Sequence, residues 1–168
     1  MITYLEGDVC SPQKETGLRV IAQVVNDIGV MGAGVAKAIY TKWPVVKEQY
    51  LKWSKLEDNF DCGNIQIVPV EKDIYVCNMI GQNGIKGPDN PTPINYSNLT
   101  DCLRELNLWI ENYQSGRFYM GSNFKDPEVS IHIPFIGAGL AGGDWDKIED
   151  LIEHNWDEQE VYVYKFKG

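Results

Sequence analysis

Asn26-Asp27-Ile28-Gly29-Val30-Met31-Gly32-Ala33-Gly34-Val35-Ala36-Lys37-Ala38-Ile39 is the stretch from which the fold is read. It follows the apolar run Val20-Ile21-Ala22-Gln23-Val24-Val25, whose length and composition are those of a strand. It leads into Val35-Ala36-Lys37-Ala38-Ile39-Tyr40, which has the pattern of the first turns of a helix. Strand, glycine-rich turn and helix in that order is a setting for binding phosphate. Gly29, Gly32 and Gly34 let the chain turn and a ligand approach the backbone, while free N–H groups at the helix start attract an anion. Glycines after a strand also make ordinary tight turns. A second loop of the same kind, Gly137-Ala138-Gly139-Leu140-Ala141-Gly142-Gly143, directly follows another apolar strand and favours the phosphate reading.

Outward from this stretch, strands and helices alternate. Ile2 to Leu5 and Val20 to Val25 read as strands, and Val35 to Ser54 carries a helical pattern in which Pro44 is either a break or the start of a second helix. Asn64 to Val70 and Asp73 to Ile80 are strands joined by the charged turn Glu71-Lys72, close enough for a hairpin or antiparallel neighbours. Gly81 to Pro93 is a long polar loop, and loops of that length in compact domains tend to be functional. Ser97 to Ile110 puts Leu99, Cys102, Leu103, Leu106 and Ile110 on one helical face, with Ser97 as the expected N-cap. Val129 to Pro134 alternates as a strand, Asp144 to Glu153 forms a helix with Ile148, Leu151 and Ile152 inward, and Glu160 to Phe166 is the last strand. Such interleaving gives an α/β fold with a mixed, largely parallel sheet covered on both faces.

A length of 168 residues suits one domain with a core large enough to need no disulfide. No secretory segment, transit peptide or long apolar run is read, so a cytoplasmic protein without membrane contact is expected. Cys10, Cys62, Cys77 and Cys102 are scattered, without a CxxC pair or a His at ligand spacing; reduced thiols and no metal site are expected. The net charge of −9 argues against binding a nucleic-acid backbone, which needs clustered Lys and Arg. A small phosphorylated ligand is still compatible, because backbone amides and helix N-termini hold phosphates without a basic surface. The triphosphate loop G-x-x-x-x-G-K-[ST] is absent, and G-x-G-x-x-G fails because Lys37 stands in place of its third glycine. There is no G-x-S-x-G elbow and no HxH or HExxH pair.

Gly7-Asp8-Val9 after the first strand, Val25-Asn26 followed by Gly32-Ala33-Gly34-Val35-Ala36, and Pro134-Phe135-Ile136-Gly137-Ala138-Gly139-Leu140-Ala141-Gly142-Gly143-Asp144-Trp145 together resemble the macro domain family. The resemblance runs from the first strand to the last, implies a single domain over residues 1–168, and is strongest to the branch containing the yeast ADP-ribose-1″-phosphate phosphatase. It implies a three-layer α/β/α fold with an ADP-ribose cleft at the C-terminal ends of the strands, where open α/β sheets bind ligands. By the same resemblance Asp8 accepts from the adenine amino group and the Val9 N–H faces that ring; an Asx-turn or helix cap is the alternative for Asp8. Asn26 would hydrogen-bond the distal ribose, its amide donating and accepting, or would cap the strand end. Gly32, Ala33, Gly34 and Val35 would wrap one side of the diphosphate, and Ile136, Gly137, Ala138, Gly139 and Leu140 the other. Tyr164 would line the adenine pocket or belong to the core.

Departures from the family bear on the chemistry. Where the branch that removes ADP-ribose through a lysine carries that lysine, this chain has Gln82, and an amide forms no Schiff base. The acidic partner of that lysine falls on Ala141, and Lys86 lies farther along the loop. Some relatives of the phosphatase carry His three positions before the asparagine, where this chain has Gln23. Asn26, Asp27 and Asp144 are left as the catalytic candidates, with Asp27 placed to activate water and Asp144 either an acid/base group or a helix N-cap. His132, inside an apolar strand, reads as a buried histidine. The implied activity is hydrolysis of the phosphate of ADP-ribose 1″-phosphate by a monomer, with no cofactor and no metal. The alternatives are a non-catalytic ADP-ribose reader or sink, and a hydrolase of esters at the distal ribose, as in O-acetyl-ADP-ribose or ADP-ribosylated acidic side chains. The resemblance implies a small ADP-ribose derivative, or an ADP-ribosylated protein, as the partner.

Overall fold

The computed structural model describes residues 1–118 and 127–166; the expected unit over 1–168 thus includes 119–126 and 167–168, which lie outside the described residues. Chain order is β1 (Ile2–Glu6), β2 (Leu18–Asn26), α1 (Gly34–Lys42), α2 (Pro44–Leu56), β3 (Ile65–Glu71), β4 (Ile74–Gln82), α3 (Tyr96–Phe118), β5 (Val129–Ile133), α4 (Trp145–Asn155) and β6 (Glu160–Lys165). The six strands form one sheet in the order β1-β6-β5-β2-β4-β3. Every pairing is parallel except β3 on β4.

The near-continuous apolar runs of β2 and β4 are what a strand covered on both faces requires. Val20 and Ala22 of β2, with Cys77 and Met79 of β4, face a core closed by Leu99, Cys102, Leu103, Leu106 and Ile110 of α3 and Ile148 and Ile152 of α4. Ile21 and Val76 point the other way, to Ile39, Trp43 and Val46, and Val25 and Ile80 meet Met31 and Tyr50. Alternation along each strand thus feeds two cores and fixes an α/β/α sandwich, the fold expected from the sequence. Each fully buried Leu or Ile contributes roughly 1.5–3 kcal/mol, so the α3 face alone is a major share of the hydrophobic stabilisation.

Pro44 starts a second helix, one of the two readings its sequence allowed, standing at its first turn where its missing N–H costs nothing. Other boundaries depart from the sequence reading for identifiable reasons. The N-cap of α3 is Asn95 rather than Ser97: its Oδ1 accepts the Asn98 N–H at 3.0 Å. The hairpin turn is Lys72-Asp73, one residue later than expected, with Asp73 at φ 64°. β4 continues to Gln82, which pairs with Asn26 across a register shift after Val25 and bridges to Ile94; the long loop therefore begins at Asn83. On the outer edge of the sheet, the exposed Pro69 of β3 stands opposite Tyr75, and the register slips before Glu71. The four cysteines are free thiols, and no described helix is long and apolar enough to cross a membrane.

Candidate functional site

A cleft of about 860 Å³ crosses the C-terminal ends of β6, β5, β2 and β4, in that spatial order. Tyr164 and Phe166 stand at its β6 end, Pro134 to Ala141 follow β5, Asn26 and Val30 to Ala36 follow β2, and Gln82, Ile85 and Lys86 close the β4 end. Both glycine loops therefore meet in the middle of the cleft, at the point where the chain leaves the two central strands.

The first loop is shaped by Asn26, which is 6% exposed. Its Oδ1 accepts from the Ile28 and Val30 N–H groups, each at 3.1 Å, and shares the single Tyr50 hydroxyl proton, at 2.8 Å, with the Asn26 backbone carbonyl, at 2.7 Å. Its Nδ2 donates to the Val30 carbonyl at 2.6 Å. The sequence offered this amide as a ribose ligand or a strand-end cap; in the structure its oxygen is taken up by the capping bonds, and a single N–H is left to donate. Burial pushes the Tyr50 phenol pKa well up, so it remains a neutral donor.

Beyond the loop, α1 opens with Ala33 as N-cap and no side chain capping it. Its first intrahelical bond is Lys37 N–H to Ala33 O at 3.4 Å, so the N–H groups of Gly34, Val35 and Ala36 have no partner among the described residues. In the second loop Gly142 N–H and Gly143 N–H close the turn onto Gly139 O and Gly137 O, whereas the N–H groups of Gly139 and Leu140 are unpartnered among the described residues. The glycines divide into two kinds. A Cβ on Gly143 would meet Gly137 O at 2.5 Å, and one on Gly137 would meet Ile148 and Ile94 at 3.0 Å, so these serve the turn itself. A Cβ on Gly32 or Gly139 would meet nothing within 4 Å; these two keep the cleft open. Leu140 reaches towards the first loop, its Cδ1 3.6 Å from where a Gly34 Cβ would lie.

At the β6 end, Phe135 packs edge-on against Trp145 with ring centroids 4.8 Å apart. Tyr164 is 2% exposed and belongs to the core as well as the cleft wall. Its hydroxyl accepts the Gln13 N–H at 2.9 Å and lies 2.7 Å from His132 Nδ1, whose Nε2 is 2.8 Å from Ser130 Oγ. Burial, then the charge of Arg19, push the His132 pKa down to about 4, so this histidine is neutral and structural, as its strand position suggested. Asp8 lies past this end, after β1. One of its oxygens accepts the Cys10 N–H at 2.8 Å in an Asx-turn, and Val9 beside it is buried against Tyr164; neither Asp8 nor Val9 lines the cleft.

The two carboxylates read as catalytic candidates are engaged elsewhere. Asp27 Oδ1 accepts the Gly84 N–H at 2.8 Å and Oδ2 accepts from Asn83 and the Cys62 thiol, tying the loop after β4 to the loop after β2. Asp144 is the N-cap of α4, its Oδ1 accepting the Asp146 N–H at 3.0 Å. Neither lines the cleft. Gln82 turns to its own loop, donating to Gly84 O at 2.9 Å. Gln23 lines the floor and donates to Asn78 Oδ1 at 2.8 Å; its Oε1 is buried and unpartnered among the described residues. Of the described residues lining the cleft, Lys86 alone carries a charge. No described cluster of His, Cys, Asp and Glu could hold a metal ion. Phe135 and Phe166 were missed from the sequence. Phe166 shares Tyr164's side of the last strand by simple alternation, and Phe135 immediately precedes the glycine loop, so both signals were present.

No family model matches the chain. Among solved structures it is similar to a protein of unknown function from Bacteroides thetaiotaomicron, with 36% identity, a TM-score of 0.82, and coverage of 98% of this chain and 97% of that one. A macrodomain protein from Streptomyces coelicolor is 31% identical with a TM-score of 0.75, over 98% of this chain and 99% of that one. Among curated proteins it is similar to the ADP-ribose 1″-phosphate phosphatase of Candida albicans, 22% identical over 165 residues that make up 98% of this chain and 99% of the other.

Proposed function

The chain belongs to the macro domain family, and on that premise we propose that its cleft binds ADP-ribose derivatives and that it hydrolyses the phosphate of ADP-ribose 1″-phosphate. The observation that carries this reading is the meeting of two glycine loops with unpartnered N–H groups midway between an aromatic end and an amide end. A diphosphate would lie on the N–H groups of Gly34, Val35, Ala36, Gly139 and Leu140, in the space kept by Gly32 and Gly139. Adenine would go to the Phe135, Phe166 and Tyr164 end. The distal ribose would then reach the remaining Asn26 N–H and the β4 end. The named activity of the Candida albicans relative supports the phosphatase reading.

With Asp27 and Asp144 engaged in holding turns, the step would rest on position: water attacks the terminal phosphorus, the ester bond to the ribose breaks, and the ribose oxygen leaves with a proton. The unpartnered Gln23 Oε1 would accept from that water or from a ribose hydroxyl. A second reading is favoured by one observation. No carboxylate or imidazole lines the cleft among the described residues, which suits an ADP-ribose reader with little turnover. Calorimetry with ADP-ribose, ADP and AMP, together with phosphate release from ADP-ribose 1″-phosphate, tests both. Affinity should fall in that order of ligands, since only ADP-ribose spans the whole cleft. Equal affinity for AMP and ADP-ribose would defeat the binding reading, and tight binding without phosphate release would leave the reader.

A further inference from the structure

The chain carries a net charge of −9, yet the described cleft lining holds no carboxylate and one cation, Lys86. That cation is at a definite place. The strand order puts the aromatic wall at the β6 end and Lys86 at the β4 end, with the two glycine loops between. The backbone on both sides of Lys86 is held. Asp27 accepts the Gly84 N–H at 2.8 Å, Asn90 Nδ2 donates to Asn83 O at 2.7 Å and Ile85 O at 3.1 Å, and Gly87 and Asn90 exchange hydrogen bonds of 3.1 and 3.0 Å. Lys86 itself makes no ion pair among the described residues. Lys86 is exposed on this loop and is the one charged residue of the described lining, so its flexible stem is free to bring the ammonium to a ligand at this end.

We propose that Lys86 is a specificity residue: its ammonium group pairs with an anionic substituent at C1″ of the distal ribose, so that the site prefers ADP-ribose bearing a terminal phosphate over ADP-ribose itself. This rests on the cleft binding ADP-ribose as proposed above. A point charge on a flexible stem suits a phosphate at the open end of a cleft, and its contribution falls as salt screens it.

The test measures binding of ADP-ribose and of its non-hydrolysable 1″-phosphonate to wild type, Lys86→Gln and Lys86→Arg, at low and high salt. Wild type should bind the phosphonate about tenfold more tightly at low salt, as for one charge-assisted contact, with the preference shrinking towards about 1 M salt. Lys86→Gln should lose that preference with ADP-ribose affinity unchanged, and Lys86→Arg should keep it. A Lys86→Gln protein that retains the preference, a wild type without one, or an equal loss for both ligands would each overturn the assignment. Absence of any ADP-ribose binding by wild type would instead bring down the reading beneath it.

Discussion

Asn26 was legible as a ribose ligand or a strand-end cap, and its Oδ1 makes the bonds of the cap, with one partner the sequence did not announce. Its Oδ1 collects Ile28, Val30 and Tyr50, and Tyr50 lies 24 positions away, a partner that no local pattern announces. Asn26→Ala should therefore unfasten the first loop. We expect a stability loss of about 1–3 kcal/mol in urea denaturation, from unsatisfied buried groups, together with weaker ADP-ribose binding; unchanged stability would contradict the shaping role. His132 makes a second residue-scale prediction. Its folded pKa, about 4, lies below its ordinary 6.5, so between these values the unfolded chain binds a proton that the folded chain does not. Stability from this group is complete above about pH 6.5 and declines as pH falls towards 4, by up to about 3 kcal/mol. Urea midpoints at about pH 7 and about pH 4.5 should converge in His132→Gln relative to wild type.

Among the elements, the helices and central strands followed from hydrophobic period, because their buried faces repeat as the geometry demands. Several of their ends did not, since Asn95 and Gln82 owe their positions to bonds and register outside the periodic segment. The glycine loops were legible as a pair, yet the sequence could not say which glycines serve the ligand. Gly139→Val points a branched side chain into open space and should abolish ADP-ribose binding while leaving the melting temperature within about 2 °C. Gly143→Ala drives a methyl onto Gly137 O and should lower the melting temperature outright. The reverse pattern in thermal scans and calorimetry would show the division to be wrong. Asp144→Ala removes the α4 cap and should cost about 1 kcal/mol with phosphate release unaffected; a collapse of turnover would return Asp144 to the catalytic candidates.

Over the whole molecule, the mixed, mostly parallel sheet was expected, but its order was not. β6 inserts between β1 and β5, joining Ile2 to Val161, and such a pairing is set by which faces bury together rather than by any neighbouring residue. The cleft inherits this order, which is why Phe135 and Phe166 come together with Tyr164 while Lys86 stands at the opposite end. The outer strand β3 has a consequence of another kind. Ile65-Gln66-Ile67-Val68-Pro69-Val70 is, apart from its proline, the sort of segment that templates stacking of one chain on the next. Pro69 and the slip in register after it break the row of donors that an incoming strand would need. Pro69 is thus expected to limit edge-to-edge stacking at high concentration. Pro69→Val should leave ligand affinity alone and hasten fibril formation, followed by dye fluorescence on mild heating; equal lag times for the two proteins would remove that role. A cell that holds this protein in abundance would be relying on one imino acid, far from the cleft, to keep it from seeding filaments.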